Sequence, residues 1–281
     1  MTPFIAYMAA VGCSLCNGIS TVQQKIGADH EGKVRSFDFT FLLRLLKDRA
    51  YFLGIFLEIS GYGLSLVALR ILPLFLVQSL IAASIVVTAF GERVFLKKKL
   101  GKQTYWSLCI VILGLSLLGF SAVSSHATDN NQFARLLVEA LPIPLIIAGF
   151  IFIYKHKNRL VSAICLAGLG GLLFGNTSTI GRIITYPHPL WKIVESPLFW
   201  SLIISALFGQ YLFTVSLQRT VAAKSNSIMI SMQTLAPALF GLLFFGDKIR
   251  AGFEILVIVG CFLVILGSAA TVIDESPEAT I

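Results

Sequence analysis

Glu58 is the only carboxylate well inside one of the apolar runs of this 281-residue chain, in Tyr51–Leu69. An acidic group at that depth costs about 3 kcal/mol or more on insertion scales, so it needs a compensating role. It could bind a cation or cycle a proton that drives exchange. It could equally be protonated and hydrogen-bonded, or paired with a base such as Lys25 or Arg70. Helical spacing puts Glu58, Gly61, Tyr62 and Ser65 on one face, a surface suited to another helix or a cavity.

Polar amides form the second set. Asn17, Asn176, Gln78, Gln210, Asn226 and Gln233 lie within apolar runs, with Ser20, Thr21, Ser178 and Thr179 near two of them. Amides and hydroxyls can replace the hydration of a small solute, or they can bond helix to helix at about 0.6 kcal/mol each. Gln78 follows Pro73 by about one helical turn, and Pro237 deprives the Gln233 carbonyl of its helical donor. Glu92 and Asp247 close two apolar helices, where each could pair with a base as a gate or stand solvated. Lys97–Lys99 read as anchors to anionic lipid headgroups.

Other chemistry finds little support. His30, His126, His156 and His188 fall in loops, so no histidine relay crosses the apolar runs. The sequence holds no HExxH, no P-loop, no clustered Asp motif and no Ser/His/Asp set at depth, so an enzyme is not expected and no cofactor is implied. Cys13, Cys16, Cys109, Cys165 and Cys261 sit in apolar segments and read as small packing residues.

The elements that position these residues follow from composition. Hydrophobic residues make up 56% and charged residues 13% of the chain, and mean hydropathy is +0.85. A soluble domain carries roughly a quarter charged residues, so lipid is the solvent implied. Nine apolar windows read as helices, because unpaired backbone cannot cross a bilayer. They are Pro3–Val22, Tyr51–Leu69, Pro73–Phe90, Tyr105–Val123, Leu136–Tyr154, Leu160–Ile180, Leu198–Leu217, Ser225–Phe245 and Phe253–Ile273. Phe37–Leu46 is too short and too charged for a span and reads as an interfacial amphipathic segment; a tenth span there would reverse the N-terminus. The first run lacks a basic leader and reads as a retained span, and Asp274–Ile281 reads as a disordered tail.

The net charge of +8 does not imply nucleic acid, because the bases lie in loops between spans. With nine spans, one side takes Lys25, Lys33, Arg35, Arg44, Lys47, Arg49, Arg93, Lys97, Lys98, Lys99, Lys102, Lys155, Lys157, Arg159, Arg219 and Lys224. The other takes only Arg70, Arg135, Arg182, Lys192, Lys248 and Arg250. The richer side is expected to be cytoplasmic, with the N-terminus outside, the C-terminus inside and the plasma membrane as the site.

The chain also echoes itself. Ser20-Thr21 falls on Ser178-Thr179 within Gly-containing runs, with Asn17 and Asn176 one position out of register. Ala68-Leu69-Arg70 echoes Ser216-Leu217-Gln218-Arg219, and Gly91-Glu92-Arg93 echoes Gly246-Asp247-Lys248. Residues 1–130 are therefore read as a first repeat, 131–158 as a linker helix and 159–281 as a second repeat of opposite orientation. Such repeats offer two nearly equivalent packings, one open to each side, with solute bound where they meet.

The stretch Ala68-Leu-Arg-Ile-Leu-Pro73-Leu-Phe-Leu-Val-Gln78, with Gly91-Glu92-Arg93 after it, resembles the drug/metabolite transporter superfamily and its EamA-type members. The nine spans and the Pro73-Leu74 opening look closer to the NIPA-like magnesium-transporter branch. The resemblance implies an all-α integral membrane protein that moves a small solute by alternating access. Its alternatives are a Mg²⁺ transporter or channel, and a flippase of a lipid-linked phosphate or sugar. Mg²⁺ is usually held through carboxylates with waters retained, and Glu58 is the only carboxylate at depth to offer. The expected partners are the small-molecule or ion substrate and membrane lipids; the sequence does not set the oligomeric state.

Overall fold

The computed structural model describes residues 3–31, 39–69, 81–97, 101–121, 132–155, 158–183, 190–244 and 249–273. The described residues form an all-helical fold. Its helices are α1 (Pro3–His30), α2 (Phe39–Lys47), α3 (Arg49–Leu69), α4 (Ser84–Phe95), α5 (Lys102–Ser121) and α6 (Gln132–Ala140). They continue as α7 (Pro142–Lys155), α8 (Arg159–Ile183), α9 (Pro197–Leu217), α10 (Ala222–Phe244) and α11 (Glu254–Ile273), with a 3-10 turn at Leu190–Glu195.

Six described segments are long and apolar enough to cross a bilayer: Phe4–His30, Lys102–Ser121, Gln132–Tyr154, Arg159–Gly181, Pro197–Leu217 and Ala222–Phe244. Their outward residues are large and apolar, among them Phe4, Trp106, Ile143, Leu207 and Leu243. Apolar surface on that scale is buried by lipid. The chain is a multi-pass helical membrane protein.

Several expected boundaries shift. The first apolar run is expected to end at Val22, but α1 continues to His30, because Gln24 and Lys25 are buried against other helices instead of marking a water-facing end. The expected linker helix is two helices, α6 and α7, divided at Leu141 just before Pro142. Proline suits the first position of a new helix and disfavours helical geometry in the residue before it. The amphipathic segment is realised as α2, which turns Phe41 and Leu45 into the core and leaves Leu43, Arg44 and Leu46 exposed. Of the third window, Ile81 onward is described; Pro73 and Gln78 lie outside the described residues.

Within residues 1–130, α1 packs along α3 and α4. Within 159–281, α8 packs along α9 and α10 in the same order. The two parts meet where α4 and α5 touch α10, where α1 touches α9 and α10, and along a long contact between α5 and α11. That last pair is close enough that a Cβ on Gly114 would stand 2.8 Å from both the Gly260 carbonyl oxygen and the Val264 nitrogen. Side chains that small let helix backbones touch in a solvent where apolar surface alone gives no drive to associate.

Candidate functional site

Glu58 faces α1. Its Oε2 accepts a 2.7 Å hydrogen bond from Gln24 Nε2, whose other hydrogen goes to Ser20 Oγ at 3.0 Å. Gly54, one turn earlier on α3, makes room: a Cβ there would lie 2.7 Å from Gln24 Cγ. The chain of contacts then crosses to the second half. Gln210 Nε2 on α9 donates to Gln24 Oε1 at 2.9 Å and to the Tyr51 hydroxyl at 3.2 Å. Tyr51, 1% exposed, meets Thr214 Oγ1 at 2.8 Å, and Thr214 donates to the Gln210 backbone carbonyl. Three helices from both ends of the sequence thus share one polar chain: Ser20 and Gln24 on α1, Tyr51 and Glu58 on α3, Gln210 and Thr214 on α9.

A second group clamps the turn between α9 and α10. Lys25 Nζ reaches the Leu217 carbonyl at 2.5 Å and Asp29 Oδ1 at 2.8 Å, not Glu58. Arg159 donates to the Gln218 carbonyl, Arg219 to Ser162 Oγ, and Gln218 Nε2 to the Ala28 carbonyl at 2.6 Å. Glu92 is fully buried, and its two oxygens accept from the Ala222 and Ala223 amides at 2.7 and 2.8 Å. Cations therefore sit at the C-terminus of α9 and a carboxylate at the N-terminus of α10, each where the helix dipole favours it. Next to them Asn226 Nδ2 donates to Thr88 Oγ1, whose one hydrogen lies between the Ser84 carbonyl at 3.0 Å and the Gly18 carbonyl at 3.2 Å.

The remaining expected residues are dispersed. Asn17 Nδ2 is 3.5 Å from Cys13 Sγ, and a Cβ on Gly61 would stand 2.5 Å from Asn17 Oδ1. Asn176 donates to the Val138 carbonyl and to Ser205 Oγ, tying α8 to α6 and α9, while its buried Oδ1 has no partner among the described residues. Thr21, Ser178 and Thr179 donate to carbonyls of their own helices. Helix α10 runs through Pro237, whose ring would be 3.0 Å from a Cβ on Gly175; half-buried Gln233 lies one turn earlier. Gln78, Arg70 and Asp247 lie outside the described residues.

Gln24, Tyr51 and Thr214 are functional candidates that sequence reading missed. Gln24 lies past the apparent end of the first apolar run, Tyr51 at the edge of the second, and threonine at Thr214 carries little signal in a helix. Their common signal is an amide or hydroxyl on the same helical face as a residue already chosen: Gln24 is four after Ser20, Tyr51 seven before Glu58, Thr214 four after Gln210.

Comparison of the chain with family models, curated proteins and solved structures finds no match.

Proposed function

We propose that the chain is a secondary transporter of a small solute, working by alternating access between two inverted repeats of four spans each around a linker. The observation that carries this reading is the partly buried polar chain from Glu58 through Gln24 and Gln210 to Thr214. A carboxylate at membrane depth, joined by neutral amides to the opposite half, is what a solute or coupling ion needs to bias one packing of the halves over another. The matching order of contacts, α1 on α3 and α4 and α8 on α9 and α10, supports the repeat.

The packing also supports one conformational state. Bonds between residues 1–130 and 159–281 gather at the His30 end of α1, through Lys25, Ala28, Glu92 and Thr88. Besides these and the polar chain through Gln24, Tyr51, Gln210 and Thr214, the Arg250 amide bonds the Ser121 carbonyl away from that end. Ser178 is exposed and a Cβ on Gly181 would meet nothing within 4 Å. The reading is a carrier shut at its Lys-rich end. Sided by charge, this is the cytoplasmic end.

A solute carrier is preferred to a Mg²⁺ conductor because of the donors. Among the described residues no three His, Cys, Asp or Glu side chains gather, and those around Glu58 are amides and hydroxyls. The test is a thermal-shift screen of the purified protein against metabolites, cations and phospholipids, since a ligand raises stability by mass action. Flux of the stabilising solute into vesicles follows. Glu58→Gln is expected to insert and fold yet abolish or uncouple that flux. Wild-type flux in this variant across a range of pH removes Glu58 from the mechanism.

A further inference from the structure

We propose that the coupling ion is a proton carried by Glu58, and that the side-chain amides of Gln24 and Gln210 relay its arrival to α9 by turning over. The inference rests on the carrier reading and supplies its coupling step.

Each contact in the polar chain has a fixed direction. Gln24 Nε2 uses both hydrogens, on Ser20 Oγ and Glu58 Oε2, so Gln24 Oε1 is left to accept from Gln210. Gln210 Nε2 uses both of its own, on Gln24 and on the Tyr51 hydroxyl. Thr214 has one hydroxyl hydrogen, and it goes to the Gln210 backbone carbonyl. Tyr51 is therefore the donor across the 2.8 Å contact to Thr214.

A proton on Glu58 Oε2, taken from water and later returned to it, makes that oxygen a donor facing a donor. The Gln24 amide relieves the conflict by turning over, so that Oε1 accepts from both Glu58 and Ser20. Its NH₂ now faces the NH₂ of Gln210, and Gln210 must turn over as well. The Gln210 Oε1 then lies against Tyr51, which gives its hydrogen to that oxygen and withdraws it from Thr214. No covalent bond changes other than the one to the transferred proton. The consequence is the loss of one buried hydrogen bond between α3 and α9, where the halves must part. Tyr51 and Thr214 are 1% and 0% exposed, so water does not replace it.

The other titratable or charged groups on elements packed against α3 have contacts of their own. On α1, Lys25 lies on Leu217 and Asp29, and Cys13 and Cys16 lie beside Asn17; on α2, Arg44 meets Glu31, with Lys47 exposed. At the start of α3, Asp48 meets His30 and Arg49 is exposed; further along, Tyr62 is exposed. On α9, Tyr211 packs edge-on to Phe41.

The test is infrared difference spectroscopy of the purified full-length protein in phosphatidylethanolamine–phosphatidylglycerol vesicles, stepped between neutral and acidic pH. Glutamine labelled with ¹³C at the side-chain carbonyl identifies the amide bands. Acidification should raise a carboxylic-acid band that Glu58→Gln removes, with glutamine and tyrosine bands shifting at the same midpoint. Gln24→Met should keep the acid band and lose the other two shifts. Gln210→Met should keep the acid and Gln24 signals and lose the tyrosine shift, and it reads the same relay if Gln24→Met does not fold. Amide and tyrosine bands that stay still while the acid band titrates, or that still shift in Glu58→Gln, overturn the relay. Solute flux with still amide bands likewise sinks the relay and leaves the carrier. Titrating bands in a protein that moves no solute uphold the relay and sink the carrier.

Discussion

Glu92 and Asp48 are acidic residues at helix ends, and the partners each one holds decide what its loss does. Glu92 accepts from two buried amides at the start of α10, so Glu92→Ala leaves both amides without that acceptor. The expected cost is on the order of 3 kcal/mol, read as an earlier melt in detergent, with Glu92→Gln in between. Asp48 sits before α3, where its Oδ1 caps the Tyr51 amide and its Oδ2 meets His30 Nδ1 at 2.9 Å. Burial works against its charge, but the His30 bond, the Tyr51 and Ala50 amides and the His30 charge more than offset this. They hold the carboxyl below its usual 3.8. A carboxyl lowered on folding adds stability that is complete above its unfolded value and is lost as pH falls through the folded one. Melting temperature should therefore fall below about pH 4 in the wild type, and fall less steeply there in Asp48→Asn. Glu58 and Gln210 were legible in the sequence because each breaks an apolar run. Gln24 was not, since three polar residues in a row at Gln23, Gln24 and Lys25 look like a helix leaving the bilayer.

At the scale of helices, the sequence marks apolar length well and marks packing poorly. Period and composition place most of the long helices within a few residues, yet α1 extends eight residues past Val22 because other helices, not water, receive its polar end. The break at Leu141 was signalled by Pro142, but two proline-flanked helices and one long one have the same composition. Glycine is ambiguous in the same way, since close approach and open surface look alike in the sequence. A Cβ on Gly114 would meet backbone atoms of α11 at 2.8 Å, and a backbone cannot rotate aside. Gly114→Ala should separate α5 from α11 at a cost of about 1–3 kcal/mol, as overpacking does elsewhere. Gly63 has nothing within 4 Å of where a Cβ would stand, so Gly63→Ala should be neutral or stabilising by up to about 1 kcal/mol through helix propensity. Melting curves of the two variants in the same detergent separate the cases; equal losses would mean that the α5–α11 contact is loose.

For the molecule as a whole, the hydrogen bonds decide which loops share a side before any count of charges. Lys25 and Ala28 near the end of α1, Glu92 near the end of α4 and Arg159 at the start of α8 all bond the α9–α10 turn. The ends of α1 and α4, the start of α8 and the α9–α10 turn therefore lie together at one face. Their flanks carry most of the bases of the chain, among them Lys25, Arg93, Lys97, Lys102, Arg159, Arg219 and Lys224, so this face is expected to stay in the cytoplasm. If the chain makes the nine crossings proposed, Gly91-Glu92-Arg93 and Gly246-Asp247-Lys248 are expected at opposite faces, as oppositely threaded repeats require. Reporters fused after His30, Lys97, Asn158 and Arg219 should be active only in the cytoplasm, and those after Ser121, Ser196 and Arg250 only outside. Equal sidedness of the Lys97 and Arg250 fusions would thread both repeats the same way up. The shared contact order of α1 and α8 would then be coincidence, and a carrier that opens by exchanging the roles of its halves would have no structural basis.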